Sequence, residues 1–564
     1  MFKKNEDYKQ YELFSIASTL SKKQSKLLRK SIEHNFLINI FSKINESDFE
    51  VLYSNKKSRP NTPVNQLVGS LILKHLFNWT YDDLFRNLNF NILTRHALGI
   101  QSLDYNIFSE ASIFNFQNRI SEHFITTGQD LLSQVFDSLT KDQLNEFGIK
   151  TDIQRGDSFL VGSNIFDYTR LQLLVEVLLR FLKMLEKEGR IKLNVLLEKY
   201  TKQTAGQYIY RIQKEDLPKE MNQLSEVYHD LYTSYKDSCE EKSIFKIFER
   251  VYYEHFIVID NKVNIISSNQ LHSGILTSPD DTEATYRYKR RINSKGYSGH
   301  ISETANPTNK INLITDVVLE PNNIHDATIL EKRLPEMLDK TPDLSEYHCD
   351  GAYGNAEVDK IMEKNDIAQI QAAIPGRKAF AEIKIIEKST DEYWVSCENG
   401  QLCKAEKTEK AWRVKFDTKV CSECPLNEIC ATSKHMRKKT SSRLWYFGQD
   451  KILLDKRKQN FEKLPKEKRK IRANVEATVK EMKRGIKNGK LRVRGQAKAV
   501  LYIIMTAIAV NLTRIHKYSV GIEPISILNA IIYTYFNLIM LAYHPQTTFL
   551  QKNQHILTQF KNAA

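Results

Sequence analysis

The feature that most constrains the fold is where strand-like alternation occurs along the chain. Ile311, Leu313, Thr315, Val317 and Leu319 stand at every second position, and Ile149, Thr151 and Ile153 do the same far upstream. A period of two is the signature of a strand with one buried face. Between these stretches the period changes. Leu171, Leu174, Val175, Leu178, Leu182 and Leu185 recur at helical spacing, and helix-like texture runs on to about Tyr253 with Gly189 and Pro218 as breaks. Any sheet in this chain must therefore be assembled across a helical insertion spanning roughly residues 164–255. The expected class is α/β, preceded by a helical N-terminal unit.

Other segments fill in that plan. Residues 1–145 read as helical, with an apolar helix over Val64–Phe77 and a capping box in Thr80-Tyr-Asp-Asp83. Arg86, Arg95 and Arg119 are scattered through this unit, which suits either DNA binding or plain helical packing. Phe256–Ile259 reads as a strand, Gly299–Thr304 and Ile311–Glu320 as a hairpin pair, and Tyr286–Arg291 as a basic approach segment. His325-Asp326 opens a helix to Leu338. Two apolar runs, Val500–Val510 and Ile525–Tyr543, follow. The first is shorter than the ~20 residues that span a bilayer, and Asn529, Thr534 and Asn537 interrupt the second. Both are expected to be buried helices, with no membrane partner.

Charge narrows the partners. The 564 residues carry a net charge of +15, which suggests a polyanion, most often nucleic acid; a solvated basic surface is the alternative. The opening MFKKNEDYKQYELF has no apolar core, so no export signal is expected and a cytoplasmic location is. Five of the seven cysteines crowd together as Cys397, Cys403, Cys421, Cys424 and Cys430, with His435 near. Soft thiolates at such spacings suit a tetrahedral structural zinc ion, although five thiols exceed four places; simple reduced thiols are the other reading.

Three carboxylates are placed where chemistry is common. Asp157 lies in Gly156-Asp157-Ser158, at the expected end of the strand that starts near Ile149. Asp350 follows Tyr347-His-Cys and precedes Gly351, a strand end before a glycine turn. Either residue alone could be a turn or cap. The third stands in Ile471–Lys483, where Arg472, Glu476 and Lys483 fall at i, i+4 and i+11. On one helix these share a face, beside an apolar stripe of Val475, Val479 and Met482. A basic run over Lys451–Lys470 leads into this segment and Leu491-Arg-Val-Arg-Gly495 follows it. A solvated charged helix face is the plain alternative.

Taken in order, these segments resemble bacterial insertion-sequence transposases of the DDE type, in particular a subgroup with a cysteine-containing insertion before the last acid. The resemblance is carried by Leu71-Ile-Leu-Lys-His-Leu-Phe, Ala97-Leu-Gly-Ile100, Gly156-Asp157-Ser158, Asp281–Lys289, Gly296-Tyr-Ser-Gly-His300 and Asn323-Ile-His-Asp326. Asp350-Gly-Ala-Tyr353, Arg472-x3-Glu476-x6-Lys483, Arg492-Val-Arg-Gly495 and Asn511-Leu-Thr-Arg514 complete it. It covers roughly residues 10–515.

The resemblance implies a ribonuclease-H-like core, a mixed sheet with flanking helices. Its pieces would be a helical DNA-binding domain (1–145), a first core strand region (146–163), the helical insertion (164–255), the core (256–375), the cysteine-containing insertion (376–450), C-terminal core helices bearing the catalytic glutamate (451–520), and a helix and tail (521–564). It implies Asp157, Asp350 and Glu476 as catalytic ligands of two Mg²⁺ ions about 4 Å apart, with Asp157 shared between them. Water would attack in cleavage and a DNA 3′-hydroxyl in strand transfer. Arg472, Lys483, Arg469, Arg492 and Arg494 would contact double-stranded DNA, at terminal repeats and target, in a homodimer on paired ends. Arg469 occupies a position, seven before the glutamate, where such signatures often carry tyrosine. The alternative is a catalytically inactive, zinc-containing DNA-binding regulator derived from a transposase.

Overall fold

The computed structural model describes residues 1–543 apart from 11–14, 55, 57–58, 103, 261, 290, 372–380, 390 and 433–441, with the backbone alone over 522–543. Its centre is a six-stranded mixed sheet. The strand Ile153–Gly162 pairs antiparallel with the long strand Ile292–Thr304 on one side and parallel with Glu346–Cys349 on the other. Ala368–Gln371 continues the parallel half. Ile314–Pro321 and the short Thr285–Lys289 both pair antiparallel with Ile292–Thr304. The class is therefore α/β with a mixed sheet, and its strands are drawn from segments that the insertion separates.

Two local expectations change. The first strand begins at Ile153, not near Ile149, and runs on to Gly162, so Asp157 sits in mid-strand. Phe159 and Val161 keep the inward alternation going after it. Ile149 is buried against Leu313 and Ile515 without being in a strand. The backbone of Lys150 is satisfied by the Asn309 side chain, which accepts from its N–H and donates to its carbonyl, both at 2.9 Å. Gly156 is no turn residue: a Cβ there would collide with the Tyr347 hydroxyl, which crosses from the neighbouring strand to Ser302 Oγ at 2.8 Å. The basic segment at Tyr286 is the strand Thr285–Lys289, hairpinned onto Ile292–Thr304.

Helices cover the sheet. Val475–Lys483 packs on the first strand through Val475, Thr478 and Met482. The two C-terminal apolar runs form one helix, Gln496–Tyr543. Its buried residues from Ala499 to Ile515 lie between the sheet and the N-terminal helix Val64–Leu76. Over Gln496–Gly521 this helix is long and apolar enough to cross a membrane by composition, but most of that stretch is buried within the protein. The N-terminal helices, the sheet and the C-terminal helix share one core, and the capping box at Thr80 and Asp83 forms.

The helical insertion has a core of its own. Arg170–Lys187, Leu217–Cys239 and Ser243–His255 pack around Leu178, Phe181, Leu182, Tyr228 and Phe248. A two-stranded hairpin, Phe256–Ile259 with Lys262–Ile265, follows. The cysteine-bearing region forms two three-stranded sheets, Ile383–Ser389, Glu392–Cys397 and Leu402–Lys404 in one and Glu406–Lys407, Trp412–Asp417 and Ser442–Phe447 in the other. His435 lies outside the described residues. The helix Gln449–Lys463 then returns to Ala368–Gln371.

Candidate active site

The parallel register places the first two acids. Arg155 pairs with His348, and Asp157 and Asp350 each lie two residues further along, side by side at one end of the pair. Asp157 is 9% exposed. Its Oδ1 accepts the Ser158 N–H at 2.9 Å and its Oδ2 accepts from Arg472 Nη2 at 2.9 Å. Burial raises its pKa, which Arg472 and the Ser158 N–H oppose, while Asp350 and Asp326 push it up further. Asp350 directly follows Glu346–Cys349 and caps the turn Gly351–Tyr353, its Oδ1 accepting from Ala352 N–H at 2.8 Å. The Asp350 carbonyl accepts from Gln371 Nε2 at 3.3 Å.

Glu476 enters from the other layer. It stands in the first turn of Val475–Lys483 with a 65% exposed side chain. Arg472 lies before that helix, in the separate turn Arg472–Asn474, so the stripe read from the sequence is broken at its first member. The break lets one guanidinium bridge two acids: Arg472 Nη1 is 3.6 Å from Glu476 Oε1 while Nη2 holds Asp157. Its Nε–H is buried with no acceptor among the described residues. Lys483 is half-buried with its ammonium 5.7 Å from the centre of the Phe159 ring, and burial lowers its pKa.

The remaining cations do local work. Arg469 donates to the carbonyls of Leu464 (3.1 Å) and Glu462 (2.8 Å) and stacks over Phe461, closing the end of the preceding helix. Arg494 donates to the Asn164 carbonyl at 2.7 Å and lies 3.7 Å from Asp280. Arg492 is exposed and depresses the pKa of Lys74 and His75 on the N-terminal helix, burial being the larger cause for both. Among the described residues none of these three is hydrogen-bonded or ion-paired to Asp157, Asp350 or Glu476.

A buried ionic hub behind the acids had no sequence signal of its own. Glu303, fully buried, accepts from Arg155 Nε (2.6 Å), Arg514 Nη1 (2.7 Å) and Thr478 Oγ1 (2.7 Å). Arg155 also donates to the Ile471 carbonyl at 3.0 Å, and Arg514 reaches Glu481 at 2.8 Å. The hub thus joins the strand of Asp157, the helix of Glu476 and the long C-terminal helix. A glutamate on the expected strand Gly299–Thr304 is the one hint the sequence offers, because a charge buried in a sheet must find partners.

Three carboxylates are hard oxygen donors of the kind Mg²⁺ prefers. Asp157 and Asp350 fit that demand: they face each other's charge, partly buried, and a cation would relieve the repulsion. Among the described residues no group of three or more His, Cys, Asp or Glu is drawn to metal-ligand spacing. In this state Arg472 is the cation that compensates Asp157 and Glu476.

Comparison with protein-family models gives two matches, at the two ends of the chain. Residues 394–516 match the model described as a transposase DDE domain, a stretch that contains Glu476 and all five clustered cysteines, Cys397, Cys403, Cys421, Cys424 and Cys430. Residues 25–119 match a transposase domain, DUF772. The two matches support a DDE transposase family for this chain. No curated protein and no solved structure matches it.

Proposed function

We propose that the chain is a DNA transposase with a ribonuclease-H-like core, cutting phosphodiester bonds at transposon ends and transferring the strands to target DNA. The carrying observation is that Asp157 and Asp350 stand level where two parallel strands pair, while Arg472 links Asp157 to Glu476. The mixed sheet and the transposase matches at both ends support the same reading.

Asp157, Asp350 and Glu476 would hold the catalytic Mg²⁺. Bound there, the ions would supply Lewis acidity toward the scissile phosphate. The chain's own groups do the rest. The hub at Glu303 holds the Glu476 helix in register on the sheet. Arg472 balances Asp157 and Glu476 at rest, and its free Nε–H is a donor for a phosphate oxygen. Lys483, held on Phe159, adds a point charge. Arg469, Arg492 and Arg494 extend the basic face toward double-stranded DNA, though two of them also brace the backbone. The protein would act in the cytoplasm as a homodimer on paired terminal repeats.

The test is Mg²⁺-dependent cleavage of DNA carrying the ends that flank the gene, comparing wild type with Glu476→Gln and Asp350→Asn. Cleavage by wild type alone is expected. If Asp350→Asn nicks at the wild-type rate, the assignment of the acids fails.

A further inference from the structure

The clustered thiols are not equivalent. Four of them sit on two segments of the cysteine-bearing region, and Cys403 is on the strand Leu402–Lys404. The first is the turn that closes Glu392–Cys397, where the Gly400 N–H donates to the Cys397 carbonyl at 3.0 Å and the Cys397 N–H donates to the Gln401 carbonyl at 3.1 Å. Gly400 adopts φ +83°, a conformation in which a side chain would be strained. The second segment starts with the short helix Thr418–Ser422 and continues to Cys430. Its backbone folds into successive turns, with the Cys424 N–H donating to the Cys421 carbonyl (3.3 Å) and the Asn427 N–H to the Cys424 carbonyl (3.0 Å). Gln401 ties the two segments together. Its Oε1 accepts the Asp417 N–H at 2.9 Å and its Nε2 donates to Cys421 Sγ at 3.3 Å.

Cys397, Cys421, Cys424 and Cys430 border a single cavity of about 20 Å³. A water-sized sphere needs about 10–15 Å³, so the space admits one small occupant and excludes an organic ligand. Ile383, Phe416 and Leu426 form apolar walls. Glu382, Glu398, Asn399, Gln401 and Thr432 also border it, but four thiols around one small space match the four soft ligands of a structural Zn²⁺. Buried Arg443 borders the same cavity and donates to the Asn427 carbonyl at 3.4 Å, putting a positive charge beside what would become an anionic centre. Cys403 does not border the cavity. It stands opposite Val395 in the hairpin and packs on the region's apolar core.

We infer that Cys397, Cys421, Cys424 and Cys430 bind one Zn²⁺ as four thiolates, and that Cys403 lies outside the set. Each ligand thiol loses its proton to solvent as its sulfur coordinates the ion. The thiols border the cavity without being at ligand spacing, and rotation about χ1 is the motion that brings them inward. The ion would staple the end of one small sheet to the segment between Trp412–Asp417 and Ser442–Phe447 of the other. It does not depend on the catalytic reading above.

The test uses full-length protein purified without chelator. Metal analysis should find one zinc per chain in wild type and in Cys403→Ser, and none in Cys424→Ser. Replacement by Co²⁺ should give the intense sulfur-to-metal charge-transfer absorption of a tetrathiolate site. Should Cys424→Ser be insoluble, alkylation of wild type mapped by mass spectrometry decides. Cys403 should react while the other four are protected, and a strong chelator should expose those four together. Wild type that neither retains nor takes up zinc, or a Cys403→Ser protein that loses it, overturns the inference.

Discussion

The central sheet and the helical insertion differ in what they bury beside their apolar side chains. The insertion is held by apolar and aromatic packing: Phe181 stacks on Phe248 at 4.4 Å, and Phe248 on Tyr228 at 4.5 Å. The sheet buries charge at its heart. Glu303 is surrounded by two arginines and a threonine, and Asp157 is balanced by Arg472. Apolar packing is non-directional and tolerates small shifts. A buried ion pair is no better than apolar packing for stability, but breaking it leaves an uncompensated charge. The comparison teaches that the chain buries charge where register matters, between the strand of Asp157 and the helix of Glu476, and relies on aromatic packing where only bulk is required.

The largest expected effect lies at the acids. Asp350→Asn should cut the cleavage rate on the order of 10³-fold, since metal-assisted charge stabilisation is worth several kcal/mol. Thermal unfolding should be little changed, because the amide still accepts from Ala352 N–H. Comparable cleavage in the variant would remove the sheet's side of the contrast.

Next come the two cores. Glu303→Ala should destabilise the protein by about 3–5 kcal/mol, the usual result of stranding buried partners of a charge. Phe248→Ala should cost about 3–5 kcal/mol. Denaturant unfolding followed by limited proteolysis separates them. The first should loosen the Glu476 helix and abolish cleavage, and the second should expose sites within residues 170–255 first. If both variants open the same segments, the two regions are one cooperative unit and the contrast fails.

Acid should act on stability through buried histidines. Burial lowers His300 and His96 to about 4 and His75 and His255 to about 3. The unfolded chain then binds more protons between roughly pH 6.5 and 4, so stability falls as pH drops through that window. Chemical denaturation at pH 7 and pH 5 measures it, and His300→Gln should reduce the difference. The smallest effect is expected for Lys483→Met. It keeps an unbranched side chain on Phe159, and relief of the half-buried ammonium's desolvation offsets the lost cation–π contact. It should weaken DNA binding in titrations and leave unfolding nearly unchanged.

Much of the secondary structure was legible in the sequence because its signals are local. The caps at Thr80, Thr169 and Asn355 each hold the backbone N–H three residues on, and the leucine stripe after Thr169 is a helix. Misreadings arose where burial and backbone pairing part company. Ile149 is buried without being in a strand, and the charged Thr285–Lys289 is a strand without apolar alternation. The spacing predicts Arg472 as a helix-face neighbour of Glu476. It lies instead in the turn before that helix, and its closer partner is Asp157, which no spacing rule could indicate.

The sequence by itself determined the textures of helix and strand, the three acids with their flanking cations, and the crowding of the cysteines, because each is written within a few neighbouring residues. Only the tertiary structure decided that Asp157 and Asp350 stand level, that Arg472 spans two acids, that Glu303 is the hub behind them, and that four thiols of five share one cavity. These facts depend on strand register and layer packing, which join residues as far apart as the 315 positions between Asp157 and Arg472. A contact of that kind leaves no periodicity in the chain.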